Sequence, residues 1–495
     1  MKQSIKTPSY AIPQDTGCGL ADMIREPAAR HAGLSGFYIF RTGGESLEGR
    51  LFLIRSAEKT LDLQYYAISE GISSNVLIEA LIRAAERGVR VRLMIDDVTT
   101  GQMRHDLITL DEIPNIEIRI FNPVNKHDQS TPARILAALL HRERATRRMH
   151  NKALIADNQM AIVGGRNLGD EYFETHKEMS FKDIDVLSAG PIAADISRSF
   201  DEFWNDDHAY PVLQLYKERR GHKALQDIRT RLRSNWQKFS KRFRDGKSHG
   251  TVTRIEGKEI VENFVWADAD LVTDASAKVQ GAQNFSPPLL RLKEIVDRAK
   301  EKFIIVSAYF VPRERGVAWL SSLSARGVRV KILTNSLAST DVVAVHTGYG
   351  KHRIPLLDQG VSIYELKPHG DKRTRQRLLA RKAPSYASLH AKAYIVDREY
   401  AVIGSFNFDP RSAYLNTELG LFIKSPELAR QLYGMFEEAA TPEVSYKLGL
   451  SPGNRLIWTT RDDGPEIRYV TEPQASPWRV LQAFLISLLP VEGQL

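Results

Sequence analysis

Two short stretches of the chain each pair a histidine with a lysine two residues later. His150 and Lys152 lie in HNKALIADNQMAIVGGRN, and His390 and Lys392 lie in HAKAYIVDREYAVIGSFN. Alternate residues of a strand point to the same face, so each stretch presents an imidazole beside an ammonium group. An imidazole can attack phosphorus or transfer protons near neutral pH, and an ammonium group can hold anionic oxygens. Two such pairs suit the cleavage and transfer of a phosphodiester.

The two imidazoles would divide the work of such a transfer. One attacks phosphorus and forms a phosphohistidine, while the other protonates the departing oxygen and then activates the incoming hydroxyl. The residues alone do not say which histidine is the nucleophile. Because the lysines supply positive charge, we expect neither a metal site nor another cofactor.

Amide and carboxylate side chains recur with the two pairs. Asn167 and Asn407 come shortly after the small-residue pairs at 164–165 and 404–405, and they are predicted to donate hydrogen bonds to phosphate oxygens. Asp157 and Asp397 keep the same spacing from their histidines, and the pattern allows either a catalytic role or a turn-stabilising one.

Each histidine should also have a carboxylate on its second ring nitrogen. Asp183 and Glu418 are the candidates for orienting the histidines, because FKDIDVLSAGP and NTELGLFIKSP place them at equivalent positions.

The elements that must position these residues repeat along the chain. AAERGVRVRLMID resembles LSARGVRVKILTN, and each precedes its histidine by about the same length of chain. Strand-like and helix-like segments alternate in both halves, and each motif reads as a hairpin that turns at residues 157–159 or 397–399. The fold class is therefore predicted as α/β, with one α/β sandwich in each half.

The repeat also divides the chain into predicted regions. These are an N-terminal extension (1–35), a first α/β domain (36–215), a basic helical linker or insertion (216–284), a second α/β domain (285–440), and a C-terminal hairpin with an apolar helix (441–495).

Composition favours an anionic partner. The formal net charge is +9 and the isoelectric point is about 9.3, which fits nucleic acid or acidic membrane lipid. Cys18 is the single cysteine, so an internal disulfide is excluded. The sequence has no apolar run long enough to span a bilayer and no secretory signal, so we expect a protein of the cytoplasm or of a membrane face.

At the two quoted motifs the chain resembles the phospholipase D superfamily, which is marked by a paired HxKxxxxD sequence. The resemblance covers residues 36–438, and the flanking residues and the C-terminal end are similar to bacterial cardiolipin synthases of the C-type branch. It implies two phospholipase D-like domains related by a pseudo-two-fold axis, with one active site at their interface. It also implies that His150 is the nucleophile and His390 the acid and base.

The resemblance further implies a substrate and a location. The family moves a phosphatidyl group from phosphatidylglycerol or phosphatidylethanolamine to phosphatidylglycerol. We therefore expect anionic phospholipids and the membrane surface as partners, at the cytoplasmic face of the bacterial inner membrane. Nucleic acid is not expected, and a helper protein is left open.

Basic and apolar stretches beyond the motifs are open to two interpretations. The basic runs at 141–148, 217–250 and 369–382 are either a collar for anionic headgroups or solvated surface. The apolar stripe of the 217–250 helix either enters the membrane or packs on the core. The tail helix at 478–489 is either an interfacial anchor or a packed closing element.

Three rival functions share these features. A nuclease of the same superfamily has identical diester chemistry, but the basic runs lack the interleaved aromatic residues of a base-stacking surface. A phospholipase D would release phosphatidic acid instead of transferring the phosphatidyl group. A non-enzymatic lipid-binding protein would show no turnover, although both motifs are intact here.

Overall fold

The computed structural model describes residues 6–124, 145–176, 179–216, 218, 220–244, 257–281, 285–368, 386–462 and 464–488. The chain divides into two compact units, and each unit takes a short segment from the other half of the sequence. Unit 1 comprises residues 1–175, 185–284 and 415–419, and unit 2 comprises residues 176–184, 285–414 and 420–495.

The strands within the described residues are numbered in chain order. They are β1 (Ser35–Phe40), β2 (Thr60–Tyr65), β3 (Arg90–Asp96), β4 (Ile116–Phe121), β5 (Ala153–Ala156), β6 (Met160–Gly164), β7 (Met179–Lys182), β8 (Asp185–Ala189), β9 (Ala209–Pro211), β10 (Val265–Thr273), β11 (Lys302–Ser307), β12 (Arg329–Asn335), β13 (Ser362–Leu366), β14 (Tyr386–Leu389), β15 (Lys392–Val396), β16 (Tyr400–Gly404), β17 (Leu419–Lys424), β18 (Ser445–Leu450), β19 (Leu456–Arg461) and β20 (Glu466–Tyr469).

The helices are numbered in the same way. They are α1 (Gly19–Arg30), α2 (Gly43–Ser56), α3 (Ile72–Glu86), α4 (Thr100–Asp111), α5 (Pro191–Asn205), α6 (Val212–Tyr216), α7 (Gly221–Arg244), α8 (Gly257–Glu262), α9 (Pro287–Val296), α10 (Arg313–Ala325), α11 (Val343–Gly350), α12 (Arg353–Asp358), α13 (Pro410–Tyr414), α14 (Pro426–Ala439) and α15 (Pro477–Ser487), with a short 3₁₀ helix at Ser276–Gln280. Within the described part of the chain, no helix is long and apolar enough to cross a membrane.

Unit 1 is built on one mixed sheet with the strand order β10-β1-β8-β6-β5-β2-β3-β4-β9. The β2-β3-β4 pairs are parallel and the others are antiparallel. The central strands are buried almost throughout, as expected of apolar runs such as VRVRLMID. Helix α3 ends just before Gly88, whose φ of +93° favours glycine.

Unit 2 repeats this arrangement. Its sheet has the order β17-β16-β15-β11-β12-β13-β18-β19-β20, and the β11-β12-β13 pairs are parallel. Each unit therefore has the predicted mixed α/β architecture. Strands β19 and β20 form the antiparallel hairpin that was predicted in the C-terminal region.

Helix α7 contains the apolar stripe of the 217–250 stretch, which was expected either to enter the membrane or to pack on the core. Ile228, Leu232 and Phe239 are buried, and the helix packs on α3 and α4. The Arg83 guanidinium lies 5.1 Å from the ring centroid of Trp236. The stripe is therefore part of the packing of unit 1. Residues 245–250 of this stretch, and the basic run at 369–382, lie outside the described residues.

Candidate active site

The two motifs form the hairpins that the alternating sequence predicted. In unit 1, β5 pairs with β6 in the register Ala153 with Val163, and in unit 2, β15 pairs with β16 in the register Ala393 with Ile403. His150 and Lys152 both lie just before β5, whereas in unit 2 β15 begins at Lys392, just after His390.

A segment from the opposite half of the sequence holds each histidine. In unit 1 the His150 amide donates to the Thr417 carbonyl at 2.9 Å. In unit 2 the His390 amide donates to the Lys182 carbonyl at 2.8 Å, beside a parallel pairing of β7 with β14. Because these contacts use backbone groups, they fix where each exchanged segment sits whatever its side chains are.

The exchanged segments deliver the two carboxylates predicted to orient the histidines. In unit 1, His150 Nδ1 lies 2.9 and 3.1 Å from the two carboxylate oxygens of Glu418. In unit 2, His390 Nδ1 lies 2.6 Å from an Asp183 oxygen. A carboxylate accepts hydrogen bonds, so each Nδ1 carries a proton; Nε2 then holds the lone pair of a neutral imidazole, or the proton that an imidazolium can donate. Nε2 is thus the ring nitrogen suited to chemistry in both units.

Each lysine side chain donates a hydrogen bond to the backbone carbonyl of its own histidine. Lys152 Nζ donates to the His150 carbonyl at 2.5 Å. Lys392 Nζ donates to the His390 carbonyl and lies 3.1 Å from His390 Nδ1. Both ammonium groups are buried, so they place positive charge in a region of low dielectric.

An aromatic ring contacts each imidazole. Tyr66 meets His150 edge to face with 5.0 Å between centroids, and Lys152 Nζ lies 5.4 Å from the Tyr66 ring centroid. In unit 2 the ring of Phe181 lies 5.1 Å from that of His390. The two rings have different origins, because Tyr66 follows β2 and Phe181 comes from the exchanged segment.

The aspartates of the motifs bind backbone amides at the hairpin turns. The Asp157 carboxylate accepts hydrogen bonds from the amides of Glu58, Lys59 and Thr60 at 2.8–2.9 Å. Both Asp157 and Asp397 have positive φ values, +51° and +54°.

Asp397 has the same surroundings in unit 2. Its carboxylate accepts hydrogen bonds from the amides of Lys300, Glu301 and Lys302. Of the two roles the sequence allowed, these contacts favour stabilisation of the turn and of the strand entry.

The two asparagines hold the loops that follow β2 and β11. Asn167 Oδ1 accepts the Ala67 amide at 3.2 Å, and Asn167 Nδ2 donates to the Tyr172 hydroxyl at 3.0 Å. Asn407 Oδ1 accepts the Tyr309 amide at 3.3 Å. Their predicted contact with phosphate oxygens stays a prediction, and their observed contacts are with the protein.

Sequence reasoning missed a polar residue at the end of β3 and another at the end of β12. Asp96 accepts the Met149 amide at 2.8 Å and pairs with Arg148 at 3.1 Å. Burial raises the pKa of the Asp96 carboxyl to about 6, against the opposing pull of Arg148. The shared register of VRVRLMID and VRVKILTN was a signal that could have identified these ends.

Asn335 is the equivalent residue in unit 2. Its Oδ1 accepts the Leu389 amide at 2.8 Å and its Nδ2 donates to the Leu389 carbonyl at 2.9 Å. The residue before each histidine is therefore held by a side chain from the neighbouring strand end.

A buried ion pair behind Glu418 was also missed. The amide of Glu418 donates to Asp274 at 2.9 Å, and Lys278 Nζ lies 3.0 Å from Asp274. Burial lowers the pKa of the Lys278 ammonium, and Asp274 opposes that shift. Both residues lie in the stretch predicted as a linker, outside the repeat, so no sequence signal pointed to them.

No metal-binding cluster is formed by the parts of the chain that the structure describes. Among these residues, no group of three or more His, Cys, Asp or Glu side chains is arranged to hold a metal ion. The expectation of a metal-free reaction stays a prediction.

Comparison with known proteins identifies the family. A family model described as "Cardiolipin synthase, PLD-like domain" matches residues 51–204 and 292–440. Cardiolipin synthase C of Escherichia coli (strain K12) is 36% identical over 481 residues, covering 96% of this chain and 99% of that protein. An uncharacterized protein of Helicobacter pylori (strain ATCC 700392 / 26695) is 30% identical over 443 residues, covering 88% of this chain and 85% of that protein.

The fold also has a relative among solved structures. The crystal structure of phosphatidylserine synthase from Haemophilus influenzae Rd KW20 matches with a TM-score of 0.55 at 14% identity, covering 86% of this chain and 92% of that chain. This likeness supports the fold alone, while the family model and the full-length relative confirm the predicted resemblance. The chain belongs to the phospholipase D-like cardiolipin synthases, a family of phosphatidyltransferases.

Proposed function

We propose that this chain makes cardiolipin by transferring a phosphatidyl group from phosphatidylglycerol or phosphatidylethanolamine to phosphatidylglycerol. The observation that carries the proposal is the matched construction of two buried histidine–carboxylate–lysine groups in a member of this family. Two imidazoles with Nδ1 fixed on a carboxylate provide two nitrogens for the two halves of a double displacement.

The proposed reaction proceeds in two steps. In the first, His150 Nε2 attacks the donor phosphorus, the bond to the glycerol or ethanolamine oxygen breaks, and His390 protonates that oxygen. In the second, His390 removes the proton from a hydroxyl of phosphatidylglycerol, which attacks phosphorus and releases His150. Lys152 and Lys392 balance the negative charge that builds on the phosphoryl oxygens. Glu418 and Asp183 stabilise the imidazolium forms.

We further propose that the protein acts at the cytoplasmic face of the inner membrane as a peripheral protein. The net charge of +9 supports this location, because the cytoplasmic leaflet carries anionic lipid.

The test is mass spectrometry of the lipids formed by the purified full chain on vesicles. Vesicles of phosphatidylglycerol, with and without phosphatidylethanolamine, should yield cardiolipin and release glycerol or ethanolamine. Phosphatidic acid as the sole product would show a phospholipase D, and cleavage of single-stranded DNA with no lipid turnover would show a nuclease. Either result would overturn the proposal.

A further inference from the structure

The C-terminal helix α15 presents an apolar face outward. Trp478 is 62% exposed, Phe484 60%, Leu485 51% and Leu488 67%, in a chain whose apolar side chains are otherwise mostly buried. Residues 473–491 contain no acidic residue and one basic residue, Arg479. Contiguous exposed apolar surface of this kind marks an interaction site.

Contacts with unit 2 fix the helix with this face outward. Helix α15 begins at an N-cap, where the Ser476 side chain accepts the Arg479 amide at 3.3 Å, and packs on α11. The Thr347 hydroxyl donates to the Ala483 carbonyl at 3.4 Å, and the Arg479 guanidinium donates to the Thr340 carbonyl.

The same contacts join α15 to the segment that leads into His390. The Thr340 carbonyl that accepts Arg479 also accepts the Tyr386 hydroxyl, at 3.1 Å. Tyr386 is the first residue of β14, which ends immediately before His390. Helix α15 is therefore joined through the Thr340 carbonyl to β14, the strand that leads into His390.

We propose that α15 is a membrane-docking helix that inserts its apolar face into the interfacial region of a bilayer containing anionic phospholipid. This inference rests on the proposed function, because a phospholipid transferase must reach headgroups at such a surface. A lipid surface fits better than a second copy of the chain, since the face has no acidic residue and the chain carries a charge of +9. Tryptophan at the start of the helix also suits the headgroup level.

The experiment is flotation of the full chain with phosphatidylglycerol vesicles. The double variant Phe484→Ser/Leu488→Ser removes apolar surface from the helix, and Leu290→Ser is the matched control. Leu290 is 47% exposed and lies on α9 of the same unit. We expect the double variant to lower the vesicle partition coefficient by about tenfold or more, and the control to leave it unchanged.

Activity on a short-chain phosphatidylglycerol dispersed as monomers separates docking from catalysis. The double variant should keep wild-type turnover of this soluble substrate and lose turnover on vesicles. Vesicle binding equal to that of the wild type would overturn the docking helix. So would a wild-type dimer that does not float and that the double variant dissociates, because α15 would then join two copies. α15-dependent flotation without turnover of either substrate would instead overturn the proposed function.

Discussion

The two motifs share their histidine and lysine, but different residues support them. In unit 1 the residue before the histidine is held by Asp96, which is paired with Arg148. In unit 2 the equivalent positions are Asn335 and Ser388, and the same task is done by a neutral amide.

A second pair of equivalent positions also carries charge in unit 1 and none in unit 2. Unit 1 buries an ion pair of Arg50 with Asp185, at 2.9 Å. The repeat aligns Asp185 with Gly420 in unit 2, where Phe406 packs against the glycine so closely that a Cβ at Gly420 would lie 2.6 Å from the Phe406 ring. Burying charge costs desolvation that good geometry must offset, whereas aromatic packing carries no such cost. The two halves therefore keep the histidine, the lysine and a carboxylate, and they differ in the residues that support them.

The largest effect is expected when the histidine of either motif is removed. We expect His150→Ala and His390→Ala each to lower cardiolipin formation by about 10⁴-fold or more, because each proposed step needs both imidazoles. Product formation is measured on vesicles. Unchanged thermal unfolding is the control for each variant.

A phosphatidyl ester of p-nitrophenol then separates the two roles. This leaving group needs no protonation, so His390→Ala should release one equivalent of p-nitrophenol per enzyme and then stop. His150→Ala should release none. The reverse pattern would exchange the two assignments, and equal turnover by both variants would contradict a division of labour.

Replacing the carboxylate that orients each histidine tests whether the two motifs serve different steps. We expect Glu418→Gln and Asp183→Asn to lower turnover by about a hundredfold or more, because an amide can present an N–H to Nδ1 and change the tautomer. With the p-nitrophenyl ester, Glu418→Gln should slow the initial burst, and Asp183→Asn should slow only the turnover that follows. Identical effects on the burst would show that the two pairs are not specialised.

The charged support of unit 1 should be replaceable by the neutral support of unit 2. The pKa of the Asp96 carboxyl is raised from 3.8 to about 6 by burial, so this group favours the folded state most below about pH 4, and the benefit is lost as the pH rises through 6. We expect Asp96→Asn/Arg148→Ser to fold and to lack this pH-dependent contribution of about 3 kcal/mol.

Urea unfolding at pH 4, 5, 6 and 7 measures this difference. The single variant Asp96→Asn is the matched comparison, since it leaves the buried Arg148 guanidinium without the carboxylate and should be less stable than the double variant. A double variant that retains the wild-type pH dependence would show that Asp96 is not its source.

The smallest expected effect concerns the two turn aspartates. Asp157 is fully buried and Asp397 is partly exposed, although each accepts backbone amides of the preceding segment. We expect Asp157→Ala to lower the free energy of unfolding by about 2 kcal/mol and Asp397→Ala by about 1 kcal/mol, because water can replace the lost acceptor only at the exposed site. Chemical denaturation measures both. Loss of activity with unchanged stability would point instead to a catalytic role.

Local pattern was enough to predict the hairpins, their turns and the repeated α/β elements. Strand alternation and the positions of turn residues are properties of neighbouring residues, and Asp157 and Asp397 lie where that pattern placed the turns. The candidate histidines and lysines followed from the same repeated strings.

Long-range pairing set the limit of the prediction. Repeat equivalence identified Asp183 and Glu418, but not which histidine each would meet, because that depends on pairings such as β7 with β14 across about 200 residues. Lys278 and Asp274 have no counterpart in the repeat, so only the three-dimensional structure brings them to Glu418.

The exchanged segments mean that neither half of the polypeptide is self-sufficient. A fragment ending before residue 285 would contain His150 without Glu418, and the remaining fragment would contain His390 without Asp183. A chain with a single motif would complete its histidine–carboxylate pair only by exchanging this segment with a second chain. Because both motifs lie in one polypeptide, the exchange does not depend on protein concentration.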